Sequence, residues 1–282
     1  MSRIRQSDRL RLHHALRVLA VIAVTALVLF PVYWMIVTAI QPLDASLRFP
    51  PPLVPISIDI GPMADVLTAV PLPLWLTNSA LVAIATMILT TVLSVFGAYA
   101  LSSLRWRGKL VFGFGLLLTQ MMPEAVIVVP IFGMYKDLGL LQSLISLSLL
   151  HAAFVLPVCI WILKGAFDRV PDSVQEAALI DGCGQLGVLW RMVLPLSLPA
   201  VVSVAVVAFF ASWGEYLFAT TLISRAELYP ASVGLATMIS QLDTPVGELL
   251  SAGLLYALLP VILYMIAQKY VIAGMTAGAV KG

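Results

Sequence analysis

Three carboxylates in this 282-residue chain stand where chemistry is worth looking for. Glu124 is the single charge between Lys109 and Lys136. A lone carboxylate in so apolar a stretch is expensive in lipid, and by default marks a pathway or a proton relay. Its plain alternative is a structural hydrogen bond to a neighbouring helix. Glu215 lies beside Trp213 and Tyr216. Carboxylates and aromatic faces suit sugar hydroxyls and rings, although aromatics near a helix end also form the interfacial belt. Glu176 precedes Ala177-Ala178, with Asp181-Gly182 a few residues on. Ser173, three residues before Glu176, is positioned for a capping box. Asp181 either closes that short helix or meets a partner. Other chemistry is missing: there is no His-Glu-x-x-His, no Gly-x-Ser-x-Gly and no phosphate-binding Gly-x-x-x-x-Gly-Lys-Ser/Thr. His151 falls in an apolar stretch and reads as packing, while His13 and His14 belong to a basic lead. Cys159 and Cys183 sit in different settings, one apolar and one polar, so neither a disulfide nor a metal site is expected.

The elements that carry these residues are set by composition. Apolar residues make up 61% of the chain and charged residues 11%. A soluble domain carries roughly 25% charged residues, so lipid is part of this chain's solvent. Cutting at the charges leaves six apolar stretches. They predict spans at about 18–40, 76–104, 110–135, 142–163, 195–222 and 249–270. Each holds the roughly 20 residues needed to cross a bilayer, and in lipid only helices satisfy their own backbone. Internal prolines at 31, 123, 130, 157 and 260 predict kinks. The first stretch exceeds the 7–15-residue core of a cleaved signal, so it is expected to persist as a span. With both termini inside, only Arg48, Lys136 and Arg225 of the 16 lysines and arginines lie outside. The sequence therefore predicts an all-α polytopic membrane protein. Residues 1–17 form a cytoplasmic lead and 18–282 a single membrane domain.

The longest cytoplasmic loop, about 168–192, predicts a helix, a break at Gly182 and a second short helix before Leu194-Pro195 restarts the membrane helix. A compact amphipathic knob of this kind suits docking into a groove of another protein. The run Glu176-Ala177-Ala178, then Gly182, Met192 and Leu194-Pro195, resembles the EAA loop of ABC importer permeases, with Met192 where isoleucine is usual. The likeness extends to the carbohydrate branch. Thr77-Asn78-Ser79, Gly97-Ala98-Tyr99-Ala100-Leu101 and Arg105-Trp106-Arg107-Gly108-Lys109 are similar to the second span of sugar-importer permeases. Trp213-Gly214-Glu215-Tyr216 resembles their Trp-Asn-Glu-Phe/Tyr, with Gly214 replacing the usual asparagine. The tail from Ala273 to Gly282 resembles that of the maltose-type second permease.

The resemblance implies a type I permease fold in a prokaryotic inner membrane. It also implies no catalytic site of the chain's own, a second related permease, an ATPase dimer holding ATP and magnesium, and an extracytoplasmic solute-binding protein. Glu176, Ala177, Ala178, Asp181, Gly182, Leu194 and Pro195 are then the ATPase-coupling residues, and Glu124, Trp213, Glu215 and Tyr216 the pathway residues. The implied cargo is a di- or oligosaccharide or a glycerol-phosphate-like compound. The alternatives are peptide, amino-acid or anion cargo, or a proton-coupled carrier using Glu124.

Overall fold

The computed structural model describes residues 2–42, 52–239 and 244–279, with side chains described over 13–42, 52–239 and 244–270. All regular structure among the described residues is helical. Four helical segments are long and apolar enough to cross a membrane, and two bent pairs bring the number to six if each pair is one span.

The described chain divides into two units. One takes Met1–Val70 and Ile239–Leu255. Its helix α1 (Ser2–Ala39) is exposed along most of its length, with Leu27 75% exposed. Only near its end do Val37, Thr38 and Ala39 become buried. An apolar helix without a polar face is stable where lipid or another membrane chain covers it. A second helix, α2 (Gly61–Ala69), starts where the Asp59 carboxylate accepts from the Gly61 N–H at 2.8 Å.

The other unit, Pro71–Met238 with Tyr256–Gly282, holds the packed core. Helix α3 (Leu72–Ser102) runs into a turn at 103–108, then α4 (Lys109–Thr119), α5 (Glu124–Asp137) and α6 (Leu144–Phe167). Next come α7 (Asp172–Ile180), α8 (Gln185–Val188), a π-helical turn at Leu189–Val193 and α9 (Leu194–Leu196). After Ser197 follow α10 (Leu198–Trp213), α11 (Leu217–Leu222), α12 (Ala231–Thr237) and α13 (Val246–Ala279), whose later part belongs here.

α3, α6 and α10 pack on one another. Thr86 meets Ser148, Gly97 meets Ile160 and Ser102 meets Asp168, so α3 and α6 run in the same direction. That register puts the 103–108 turn and the 168–193 loop at one end. A Cβ on Gly97 would sit 2.8 Å from Ile160 Cδ1, so glycine lets Ile160 pack directly on the α3 backbone and a larger residue would have to push that side chain aside. At the other end, the Asn78 amide donates to the carbonyls of Glu227 and Tyr229, and Ser79 Oγ accepts from the Ala231 N–H at 2.7 Å. The Thr77-Asn78-Ser79 run thus ties down the 226–231 turn.

Two of the expected spans are not single helices. The 110–135 stretch ends at Thr119, breaks over 120–123 and resumes at Glu124, with the halves bent by 97°. Proline disfavours helical backbone in the residue before it, and Pro123 adopts an extended conformation as the N-cap of α5. The 195–222 stretch likewise breaks at Ser197, where Gln185–Leu196 meets Leu198–Trp213 at 83°, and its helix ends at Trp213. Pro195 therefore does not start the fifth long helix; Leu198 does, with a proline in its first turn.

Candidate functional site

The 168–193 loop is built as a rigid knob. Pro171 is extended and α7 begins at Asp172. The expected capping box does not form: Pro171 is the N-cap and no side chain caps the helix, because the helix starts two residues too early for Ser173 to serve. The other end follows the glycine. Gly182 has φ +86°. The Cys183 N–H donates to Ala178 O at 3.0 Å and the Gly182 N–H to Leu179 O at 3.1 Å, the paired bonds of a Schellman termination.

Only Ala178 of α7 is buried, at 3% exposure, while Glu176, Ala177 and Asp181 are exposed and Ile180 is 86% exposed. Ala178 joins Val188, Leu189 and Val193 in one apolar cluster with Tyr99 of α3, Leu163 and Phe167 of α6, and Val204 of α10. Leu194 packs against that cluster and Pro195 is exposed. The knob is thus anchored to three long helices and shows a small, partly apolar face outward. Tyr99 adds a polar tie: its hydroxyl is 2.9 Å from Gln185 Oε1 and 3.0 Å from Gln185 O. Beside it Asp168 pairs with Lys164 at 2.6 Å and accepts from Ser102 Oγ at 2.7 Å. A cavity of about 1020 Å³ opens between α7 and the 102–109 turn, with Arg105 and Lys109 on one wall and Asp172 and Glu176 on the other.

The four expected pathway residues separate. Trp213 is 4% exposed and stacks with Phe209 at 5.4 Å and with Tyr256 at 5.0 Å, so its ring belongs to the core. Glu215 accepts from the backbone N–H groups of Phe218 at 2.7 Å and Ala219 at 3.0 Å, two orphan donors in the first turn of α11. Tyr216 is exposed beside it. Glu124 is exposed at the first position of α5, where the helix dipole favours a carboxylate, and lines a second cavity of about 280 Å³. Gln120 and Thr119 line it too, against Phe154, Val158 and Val207.

His151 is not a packing residue. Its Nδ1 is 2.8 Å from Ser212 Oγ and its Nε2 2.9 Å from Glu215 Oε2. Ser212 Oγ contacts Thr86 Oγ1 at 3.2 Å, and Thr86 donates to Ser148 O at 3.2 Å. Thr86, Ser148, His151 and Ser212 are buried, and this chain of polar groups crosses from α3 through α6 and α10 to the cap of α11. Its partners lie more than 60 residues apart, so no local pattern announces it. The single sequence signal is one histidine in the middle of a helix whose other charge, Lys164, sits in its last turn.

A family model described as "Binding-protein-dependent transport system inner membrane component" matches residues 91–277. The chain belongs to that family. It is 31% identical to the trehalose/maltose transport system permease MalG of Thermococcus litoralis, over 96% of this chain and 98% of that one. It is also 31% identical to the diacetylchitobiose uptake system permease DasC of Streptomyces coelicolor, over 92% and 96%. Among solved structures it matches a chain of a bacterial ABC transporter that imports the acidic polysaccharide alginate. The TM-score is 0.78 at 23% identity, covering 93% of this chain and 97% of that one. The chain is therefore a multi-pass inner-membrane permease with the type I importer fold.

Proposed function

We infer that this chain is one of two permease subunits in an ATP-driven sugar importer, and that α7 with the turn after it is its joint to the ATPase. The carrying observation is the knob itself: an outward face of Glu176, Ala177, Ile180 and Asp181 on a helix whose opposite side is locked into α3, α6 and α10. Close-packed interiors transmit displacement rather than absorb it, so motion of α7 moves these helices together. ATP and magnesium are held by the partner ATPase dimer, and no covalent chemistry takes place in this chain. Closure of that dimer carries α7 with it and turns the pathway outward to receive cargo from the binding protein; hydrolysis resets it. Both termini are cytoplasmic, which puts the 168–193 loop on the ATPase side.

A di- or oligosaccharide is the cargo class supported by the relatives, and it passes the break at 120–123, where Glu124 lines the cavity. Reconstitution with the ATPase, the second permease and the binding protein tests the reading. Uptake should require ATP, persist with ionophores and disappear in Ile180→Asp, because a charge would be buried at the joint. Uptake that collapses with ionophores and ignores ATP would contradict it.

A further inference from the structure

The cavity beside Glu124 has a one-sided polar chemistry. The Thr119 hydroxyl proton is already given to Leu116 O at 2.7 Å, and the Gln120 amide donates to Phe154 O at 2.9 Å. What these groups still offer inward is mainly oxygen lone pairs, to which Glu124 adds a carboxylate with no donor among the described residues. No lysine, arginine or histidine lines the cavity, and the rest of the wall is apolar. Acceptor oxygens over an apolar wall fit a ligand that brings O–H donors and a C–H face. A volume of about 280 Å³ lies just under the roughly 300–1,000 Å³ of small-molecule sites, room for one ring at a time. An anionic ring would meet the carboxylate with no cation beside it, and like charges brought together oppose binding.

We propose that this cavity is a subsite for one neutral, hydroxyl-rich sugar ring, and that Glu124 makes it reject acidic sugars. The inference rests on the reading that cargo passes Glu124, and it sets this transporter apart from a system built for an acidic polysaccharide. Glu124 is the specificity-determining group; the break at 120–123 holds the acceptors in place.

The test uses the complete transporter in proteoliposomes, carrying Val158→Cys in the cavity wall as a thiol reporter and Cys183→Ser to remove the loop thiol. Under ATP turnover, maltose, trehalose or diacetylchitobiose should slow labelling of residue 158 at least about fivefold. Glucuronate or an oligouronate at the same concentration should leave the rate unchanged, and Glu124→Gln should let the uronates protect. Equal protection by neutral and acidic sugars, or protection by the acidic ones alone, overturns the charge selection and leaves the pathway standing. Protection by no sugar overturns the subsite. If Glu124→Gln also imports its sugar at the wild-type rate, the pathway reading falls with it.

Discussion

Glu124 and Glu215 both stand at breaks between apolar helices, and their surroundings are opposite. Glu215 is saturated: two backbone N–H groups and the His151 ring hold its oxygens, with 12% of its side chain exposed. Glu124 has no such partners and faces a cavity. Glu215→Ala should therefore destabilise the permease by about 1–3 kcal/mol, the cost of leaving buried donors unpaired, seen as a lower melting temperature in detergent. Glu124→Ala should leave that temperature within error and impair uptake without loss of assembly. A reversed pattern would exchange the two roles. The sequence marks both residues as unusual but cannot divide them, because the groups that saturate Glu215 lie in α6 and in the first turn of α11. His151 is misread for the same reason: its partners, Ser212 and Glu215, are 61 and 64 residues away. Trp213 shows the limit of a motif, since an aromatic next to a carboxylate reads as a sugar platform until Phe209 and Tyr256 are seen against it.

At the level of elements, freedom from charge locates the long helices well, because length and apolarity are all that lipid demands. The two bends are another matter. A proline inside an apolar run is compatible with a mild kink or with a full break, and the choice depends on non-local contacts. Here the Gln120 amide reaches Phe154 O, which fixes the unwound residues against α6. The knob is more legible, since glycine at 182 and the buried alanine at 178 are local requirements. Gly182→Ala should cost about 1–2 kcal/mol by forcing a Cβ into left-handed backbone, and it should lower the cargo imported per ATP hydrolysed. Unchanged stoichiometry would show that the break is incidental. The α3–α6 crossing gives a second check. Gly97→Val should cost about 1–3 kcal/mol through overpacking against Ile160, and Ile160→Ala in the same chain should restore part of the folded yield. If the double variant folds no better, the clash lies elsewhere.

At the largest scale, the unit formed by Pro71–Met238 with Tyr256–Gly282 packs three long helices, with the 168–193 loop at one end and the hydrogen-bonded 226–231 turn at the other. The 168–193 loop and the 103–108 turn share one end because α3 and α6 are parallel, and that end carries Arg105, Arg107, Lys109, Lys164 and Arg169. A membrane-impermeant thiol reagent added outside intact cells should label a cysteine at Ser224 and spare one at Ala177. The opposite labelling would invert the topology. Much apolar surface stays uncovered, with Val129 at 73% and Ile145 at 75% exposure, as expected of a chain that sits in a membrane. Coupling through the 168–193 loop depends on contact between the outward face of α7 and the partner ATPase. A photoreactive benzoylphenylalanine at Ile180 in the assembled transporter measures that contact directly. It should crosslink to the ATPase in high yield. Crosslinking to lipid or to the sister permease alone, with transport intact, would contradict the account.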